Sequence, residues 1–383
     1  MTHPPACLAR CLPFVALLAG GIQAADYKPV HCDAPAPYAG QPLHEPFALP
    51  AAVGALDDKA FDIATRQRLE EAFAKIRSAT AAPALSAAVT VADVGSWSAS
   101  ATPTEAPLLY WASAGKLFTA VVVLQLVEEG KLSLDAPVSR FVADVPNGDA
   151  VRVRDLLAHT SGLFSANEDL KARQRPRYRS AAENLAIARR HGAMFCAGAN
   201  WRYSNTGYDV LGEIVRKVDD RAIDQAITAR IIDKLALKHT RALAPDSDIA
   251  GVAPLQSAKE KPIDPRWPQA AGAIAADAGD MVRFLAALLN GELLRAATVA
   301  EMSATLYPMF DPGTYYGLGL MVFDIDDAGR RNLWLGHAGG TPGAGALVIY
   351  SPEDKAFVAV ALTGDGPAPA AVNALLKAWR GKP

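Results

Sequence analysis

The order of apolar and polar positions divides the chain into a mixed start, a helical middle and a strand-rich end. From residue 58 to 80, DKAFDIATRQRLEEAFAKIRSAT has apolar residues at helical spacing. The next stretch, PALSAAVTVADVGSWSASAT, predicts two short strands joined at a turn that contains Gly95. After Tyr315 the pattern predicts strands again in YYGLGLMVFDI, NLWLGHAGG, GALVIYSPE and KAFVAVALTG, before a last helix through PAAVNALLKAWRG.

Strands at both ends with helices between them predict a split α/β lobe with an inserted helical lobe. We place this domain at residues 58–383, with an inserted, mainly helical lobe at roughly 120–300. A cleft between the two lobes is the expected ligand site. Residues 25–57 are rich in Pro and Ala and show neither a helical nor a strand period, so we expect an arm laid over the fold.

The first 24 residues have the pattern of a signal peptide. Arg10 is followed by the apolar stretch CLPFVALLAG and by small residues that allow cleavage after Ala24. The apolar stretch is shorter than the ~20 residues that span a bilayer. We therefore expect export as a soluble protein, to the periplasm or outside the cell, with no membrane span in the mature chain.

Two cysteines remain after the expected cleavage, Cys32 and Cys196. In an oxidising compartment such a pair predicts one disulfide. Two separate buried thiols are the alternative, because the sequence does not fix the distance between the two Cα atoms. No pair of Cys or His residues has the spacing of a zinc site, so we expect neither a metal nor an organic cofactor.

The composition and net charge of the chain limit the kinds of molecule that it is expected to bind. Charged residues make up 20% of the chain and the formal net charge is -2, so there is no basic excess to attract nucleic acid. We expect a small-molecule or peptide substrate, and the sequence does not predict an oligomeric state.

A lysine stands where a charge is costly. Lys116 begins the apolar run 117–127, and Ser113 lies three residues earlier, on the same face of a helix. A helix N-terminus and burial both lower a lysine pKa from its reference of ~10.4. A neutral Lys116 could accept the serine proton. The alternative is a chance pair with a lysine that extends to solvent, although Ser-x-x-Lys occurs once in this chain.

A second candidate motif is WRYSNTGYDVLGEIV, in which Tyr203 and Asn205 precede a helical pattern. A phenol and an amide at alternate positions can supply a proton carrier and a hydrogen-bond donor. A buried tyrosine and a helix cap are the alternative.

The third motif, WLGHAGGTPGAGALVIYS, contains His337 and Gly339 on a predicted edge strand. Such an edge offers unpaired amides to an extended acyl chain, and glycine lets a substrate approach the backbone. A core histidine with a turn glycine is the alternative.

Together the three motifs resemble those of the penicillin-recognising serine hydrolases. Ser113-Ala-Gly-Lys116, Tyr203-Ser-Asn205 and His337-Ala-Gly339 occur once each and in this order. The branch they resemble contains class C β-lactamases, D-Ala-D-Ala carboxypeptidases, D-aminopeptidases and esterases. DLLAHTSGL, YGLGLMV and GHAGGTPG extend the resemblance over roughly residues 60–380. It implies a serine hydrolase domain with an α/β, β-lactamase/transpeptidase-like fold, in which helices flank an antiparallel sheet.

The resemblance also implies roles for individual residues. Ser113 would be the acylated nucleophile and Lys116 its proton acceptor. Tyr203 would protonate the leaving group and later help to activate water, while Asn205 would bind the substrate amide. The backbone amides of Ser113 and Gly340 would form the oxyanion hole. His159 belongs to a family motif and is expected to fix the loop after a helix.

His337 departs from the class C pattern, which has lysine at this position. A neutral histidine lacks the fixed charge that holds a β-lactam carboxylate, and protonation near pH 6 is expected to restore it. We therefore expect an acyl-enzyme hydrolase of amides or esters, with a D-amino-acid peptide first, a small ester next and a β-lactam last. A non-catalytic penicillin-binding sensor is the alternative from another class. Glycine at position 115, inside the first motif, is unexpected in a helix.

Overall fold

The computed structural model describes residues 27–46, 53–54, 56, 59–102, 108–327 and 329–381. The predicted signal peptide and part of the predicted arm lie outside the described residues. Among the residues described, no helix is both long and apolar enough to cross a bilayer.

Helices and strands follow the predicted order at both ends of the domain. The helices are α1 (Ile63–Thr80), α2 (Lys116–Glu128), α3 (Val153–Leu157), α4 (Leu170–Gln174), α5 (Ala181–His191), α6 (Asn205–Asp219), α7 (Ile223–Ile227), α8 (Ala278–Leu289), α9 (Ala296–Glu301) and α10 (Ala368–Trp379). The strands are β1 (Leu85–Val91), β2 (Gly95–Ala101), β3 (Leu109–Tyr110), β4 (Thr240–Ala242), β5 (Ile274–Ala276), β6 (Tyr307–Pro308), β7 (Thr314–Tyr316), β8 (Met321–Asp327), β9 (Arg330–Thr341), β10 (Ala344–Ser351) and β11 (Ala356–Thr363).

The main sheet is antiparallel and brings the two ends of the domain together. Its strand order is β2-β1-β11-β10-β9-β8-β7-β6. The early strand β1 pairs with the late strand β11, with Leu85 opposite Leu362 and Val91 opposite Ala356. The predicted antiparallel sheet flanked by helices is therefore the observed architecture.

Every position of β1, β10 and β11 is buried, so both faces of the central strands are covered. Successive side chains of a strand point to opposite faces. On one face Val89 and Val360 share a core with apolar residues of α1 and α10. On the other, Ala88 and Ala359 share a core with apolar residues of α2 and α8. A sheet covered on both faces requires nearly continuous apolar strands, which explains segments such as KAFVAVALTG.

Helix α2 lies in the middle of the molecule, and all its residues from Lys116 to Leu126 are buried. Phe118 of α2 stacks on Phe284 of α8, with ring centroids 3.7 Å apart. Because α8 packs against β1, β10 and β11, it covers the sheet. The predicted limits of the helical lobe, roughly 120–300, therefore include a helix that packs against the sheet.

A second, three-stranded sheet has the order β3-β5-β4 and lies partly in the region predicted to be helices and loops. Its strands have two or three residues each. A segment that short carries no readable period, so the sequence pattern could not reveal it.

The described part of the arm, residues 27–46, runs along the loop before Tyr203. Backbone amides of Val30, Ala36 and Ala39 donate to carbonyl oxygens of loop 193–199, over 2.8–3.0 Å. Cys32 and Cys196 form a disulfide between arm and loop, with their Cα atoms 5.7 Å apart. The arm is thus tied to the same loop by backbone pairing and by a covalent bond.

Candidate active site

Ser113 lies in a 3-10 turn, Ala112–Gly115, that leads directly into α2. The preceding residue, Ala112, has a positive φ of 47°, a conformation that costs on the order of 1–3 kcal/mol for a residue with a side chain. Trp111 anchors the turn, because its indole Nε1 donates to the carbonyl of Ala276 over 3.0 Å. The strained turn holds the partly buried hydroxyl of Ser113 in a fixed position.

Lys116 is fully buried, and its Nζ contacts three oxygen atoms. The Nζ atom lies 2.7 Å from Asn205 Oδ1, 2.7 Å from the carbonyl oxygen of Ala271 and 3.3 Å from Ser113 Oγ. The first two oxygens can only accept hydrogen bonds. In a neutral amine two hydrogens therefore go to Asn205 and Ala271, and the lone pair faces the hydroxyl of Ser113. This is the arrangement that a serine base requires.

Burial lowers the pKa of Lys116 to about 7, and the charge of Asp209 opposes this shift. Asp209 is itself buried on α6, where Asn184 donates to its Oδ2 over 2.9 Å. Burial raises the pKa of the Asp209 carboxyl to about 7. At neutral pH a substantial fraction of Lys116 is therefore uncharged.

Tyr203 lies just before α6, beside both residues of the first motif. Its ring centroid is 4.8 Å from Lys116 Nζ, and, against the larger effect of burial, the Ser113 side chain beside its phenol lowers the pKa of that phenol. Burial raises the pKa of Tyr203 well above its usual value, so the phenol keeps its proton at neutral pH. The structure thus brings together Ser113, Lys116 and Tyr203, which the sequence predicted as the catalytic residues.

Asn205 is the first residue of α6, and its side chain is already engaged by the protein. Oδ1 accepts from Lys116, and Nδ2 donates to Asn167 Oδ1 over 3.1 Å. Its backbone amide donates to Ser165 Oγ over 3.0 Å. Asn205 therefore orients Lys116, and the second N–H of its amide is the group left for the predicted contact with substrate.

The structure corrects the expectation that the His337 ring gains a charge near pH 6, and the contact of His337 with substrate stays a prediction. The side chain is 1% exposed, with Nε2 3.0 Å from the hydroxyl of Tyr316 and Nδ1 2.6 Å from the carbonyl oxygen of Ala338. Burial, with a contribution from Lys116, lowers the pKa of His337 to about 3. The ring is therefore neutral at pH 6 as well as at pH 7, because water cannot solvate its charged form.

The predicted edge strand is present only locally. Strand β9 lies between β8 and β10, and its pairing with β8 ends at Gly336 opposite Met321. Residues 337–341 continue past that point and pair with β10 alone. The segment that follows Gly336 therefore has one strand neighbour, as the sequence predicted for the whole strand.

Gly339 also has a packing role, and the approach of substrate to it stays a prediction. A Cβ atom at this position would lie 2.1 Å from the carbonyl oxygen of Trp111 and 3.0 Å from the backbone nitrogen of Ser113. Glycine here lets β9 press against the turn that carries the serine. Gly340, the predicted oxyanion donor with Ser113, follows it on β9 opposite Gly345.

Gly115, unexplained by the sequence, now has a steric reason. Its Cβ would lie 2.8 Å from Ile274 Cγ1 and 2.9 Å from the Cα of Gly272. The backbone after Ser113 packs directly on the segment whose Ala271 carbonyl accepts from Lys116. A larger residue would push the base away from its acceptor.

Sequence reasoning missed several groups around the site. Asp209 follows Asn205 by four residues on α6, so helical spacing could have placed both on one face. The carbonyl of Ala271 and the side chain of Asn167 had no signal, because the short 3-10 turns that carry them, Gln269–Ala271 and Ala166–Glu168, show no readable period. Tyr208 and Tyr316 lie in two of the segments that carry the resemblance, but nothing in those segments indicated that their hydroxyls link to His337.

A family model described as Beta-lactamase matches residues 67–379. The putative penicillin-binding protein PbpX of Bacillus subtilis (strain 168) is 28% identical over 225 residues, which are 55% of this chain and 56% of PbpX. Protein flp of Staphylococcus aureus (strain MW2) is 32% identical over 136 residues, 34% of this chain and 27% of flp. The alignments thus span little more than half of one relative and about a quarter of the other.

Solved structures match over most of the chain. A D-stereospecific amidohydrolase from Streptomyces sp. is 29% identical with a TM-score of 0.68, covering 82% of this chain and 97% of that one. A D-amino acid amidase from Ochrobactrum anthropi SV3, complexed with L-phenylalanine, is 24% identical with a TM-score of 0.72, covering 82% of this chain and 98% of that one. The second likeness shows a common fold.

Proposed function

Because the chain belongs to the β-lactamase family of penicillin-recognising serine hydrolases, we propose that it hydrolyses D-amino-acid amides or short D-peptides through an acyl-enzyme on Ser113. One observation carries this proposal. Two carbonyl-type oxygens, from Asn205 and Ala271, take the hydrogens of Lys116 and leave its lone pair toward Ser113. A binding domain has no need of a neutral lysine beside a serine. The 29% identical neighbour described as a D-stereospecific amidohydrolase supports the substrate class.

In the acylation half, Lys116 takes the proton of Ser113 as Oγ attacks the substrate carbonyl carbon. The backbone amides of Ser113 and Gly340 stabilise the oxyanion, and one such donor typically contributes ~3–4 kcal/mol. Tyr203 gives its proton to the leaving nitrogen, and the Lys116 ammonium restores it. The C–N bond then breaks, leaving an ester on Ser113 and a free amine.

In the deacylation half, water replaces the amine on the same path. Tyr203 passes its proton to neutral Lys116 as it accepts a proton from the water, whose oxygen attacks the ester carbon. The ester bond breaks, Ser113 takes a proton back from the Lys116 ammonium, and the carboxylic acid leaves. No cofactor takes part in this proposal.

The neutral histidine supports amides over β-lactams. A substrate carboxylate clamped by a cation gains a charged hydrogen bond worth ~1.5–3 kcal/mol, which the uncharged ring of His337 does not offer. An amide or an ester without that carboxylate loses nothing. We therefore rank D-amino-acid amides first, small esters next and β-lactams last.

We also propose that the protein works in the periplasm or outside the cell. The Cys32–Cys196 disulfide supports this location, because such bonds persist in oxidising compartments. The signal-peptide pattern of residues 1–24 supports it as well.

A substrate panel with an active-site label tests the proposal. We expect hydrolysis of D-alanine amide and D-phenylalanine amide well above that of their L-enantiomers, measurable cleavage of p-nitrophenyl acetate, and slow turnover of nitrocefin. A fluorophosphonate should label Ser113, as shown by peptide mapping, and the folded Ser113→Ala variant should take no label. Labelling of that variant at the wild-type rate would refute the nucleophile. Nitrocefin turnover far above that of every amide and ester would instead identify a β-lactamase.

A further inference from the structure

One histidine holds the main chain on both sides of Tyr203. His159 follows α3 and has a positive φ of 61°. Its carbonyl oxygen accepts from the backbone amide of Arg202 over 2.9 Å, and its Nδ1 accepts from the backbone amide of Ser204 over 3.2 Å. Residues 201–204 themselves have no regular secondary structure. The position of Tyr203 therefore depends on contacts of this kind.

The same histidine also packs against the side chain of Tyr203. The two ring centroids are 4.1 Å apart with an angle of 37° between the planes, and the Tyr316 ring is 4.6 Å from the imidazole. His159 is fully buried. It fills the space beside the Tyr203 ring, so the ring cannot swing toward it without a clash.

The hydrogen bond from Ser204 fixes the tautomer of this imidazole. Since Nδ1 accepts a hydrogen bond, the neutral ring carries its hydrogen on Nε2. That Nε2 atom is buried and has no hydrogen-bond partner among the described residues. The contacts that the described residues make with the ring are therefore the hydrogen bond from Ser204 and packing against neighbouring aromatic rings.

We infer that His159 is a positioning residue for Tyr203, which it orients so that the phenol meets Ser113. This inference rests on the proposed acyl-enzyme reaction. His159 holds the flanking main chain by two hydrogen bonds and the aromatic ring by packing, and it takes no proton itself. A misplacement on the order of 1 Å at a catalytic group can cost about a hundredfold in rate.

A double-mutant cycle with Tyr203→Phe tests whether His159 acts through the tyrosine. We expect His159→Ala to lower kcat for D-alanine amide by about tenfold to a hundredfold with little change in KM, because Tyr203 serves proton transfer. In the Tyr203→Phe background the same substitution should cause no further loss. An equal loss in both backgrounds would overturn the inference.

Two conservative variants keep the test sharp if the alanine variant does not fold. Asparagine presents its Oδ1 on the same carbon as the ring Nδ1 and tolerates a positive φ, whereas glutamine extends its amide toward the Nε2 position. We expect kcat of His159→Asn to exceed that of His159→Gln by about tenfold, with similar melting temperatures. Equal kcat values in these two variants would overturn the inference.

His191 offers a matched control outside the site. Its ring stacks on Phe164 at 3.7 Å and its Nε2 is 2.9 Å from Asp169 Oδ2. We expect His191→Ala to lower the melting temperature while kcat stays unchanged. A fall in kcat equal to that of His159→Ala would show that any loss of stability lowers the rate, and it would overturn the inference. Wild-type protein that neither hydrolyses the panel nor takes the fluorophosphonate label would refute the proposed function itself, which is a separate result.

Discussion

Lys116 and His337 are buried to the same degree, yet the consequence for their chemistry is opposite. Burial is the largest cause of both shifts: it lowers the pKa of Lys116 from 10.5 to about 7 and that of His337 from 6.5 to about 3. The lysine thereby becomes partly neutral and able to accept a proton at neutral pH, and the histidine becomes a neutral hydrogen-bonding group. The comparison teaches that desolvation makes a functional base only when the starting pKa is high enough.

The hydrogen-bond partners of Lys116 and His337 also differ, and in a way that matches their different pKa values. Lys116 faces acceptors on two sides and the hydroxyl of Ser113 on the third. His337 faces the hydroxyl of Tyr316, which can either donate or accept. The partners of Lys116 leave its lone pair available to Ser113. The partner of His337 forms a hydrogen bond with its uncharged ring.

Removing the base should have the largest effect. Lys116→Met replaces the buried amine by an apolar side chain of similar length, and we expect kcat to fall by about a hundredfold to ten-thousandfold. The melting temperature should stay the same or rise, because a costly buried polar group is removed. Steady-state kinetics and thermal unfolding by circular dichroism check both. A variant with unchanged kcat would end the contrast between the two residues.

The dependence of kcat/KM on pH should reflect the protonation of Lys116 and not that of His337. Below pH 7 the ammonium predominates, so we expect kcat/KM to fall by about tenfold per pH unit on the acid side, with a midpoint near pH 7. His337 does not contribute to this limb if its pKa is about 3. A midpoint that moved in His337→Gln would contradict the assignment.

The free energy of unfolding should also depend on pH because of the lowered pKa of Lys116. The unfolded chain returns the lysine to its ordinary pKa of 10.5, so between about pH 7 and 10.5 the unfolded state binds more protons than the folded state. The contribution of Lys116 to the free energy of unfolding therefore rises with pH across this window. Urea titrations at several pH values should show this slope in wild type and its loss in Lys116→Met.

Asp209→Asn should have a smaller effect, which is seen in the pH dependence of the rate. Asp209 raises the pKa of Lys116 through its charge, so removing the charge should move the acid limb of the kcat/KM profile to lower pH, by less than about one unit. Asparagine keeps an oxygen for the hydrogen bond from Asn184. No shift would show that the carboxyl is neutral in the active enzyme, and a shift to higher pH would contradict the assignment.

His337→Gln should have the smallest effect. Glutamine keeps a neutral polar group for Tyr316, and we expect kcat for D-alanine amide to stay within about threefold, with a loss of roughly 1 kcal/mol in stability. Kinetics between pH 5 and 8 and chemical unfolding provide the measurement. A drop in rate comparable to that of Lys116→Met would show that the histidine takes part in the reaction.

The sequence predicted the parts of the molecule that have a strong period or a one-dimensional motif. The strands of residues 85–101 and 314–363, the first and last helices, and the meeting of Ser113, Lys116 and Tyr203 follow from such signals. The three-stranded sheet did not, because its strands are too short to show alternation. The position of α8 on the sheet did not either, since an apolar helix face does not specify which surface it covers.

The orientation of His337 shows a further limit of sequence reasoning. Alternation along a strand tells which residues share a face, and it does not tell whether that face opens to the cleft or to a buried tyrosine. Tyr316 is 21 residues away and lies outside the three motifs. Its hydroxyl decides what the histidine does, and only the packed structure places it there.

The pairing of β1 with β11 has a consequence for how the chain acquires its structure. These strands lie near opposite ends of the domain and are adjacent in the sheet. Contacts between distant segments slow folding, because a long loop must close before they form. Strand β9, whose Gly339 seats the turn that carries Ser113, is also a late segment. A growing polypeptide therefore lacks both its central sheet and the seat of the turn that carries Ser113 until the last strands are made.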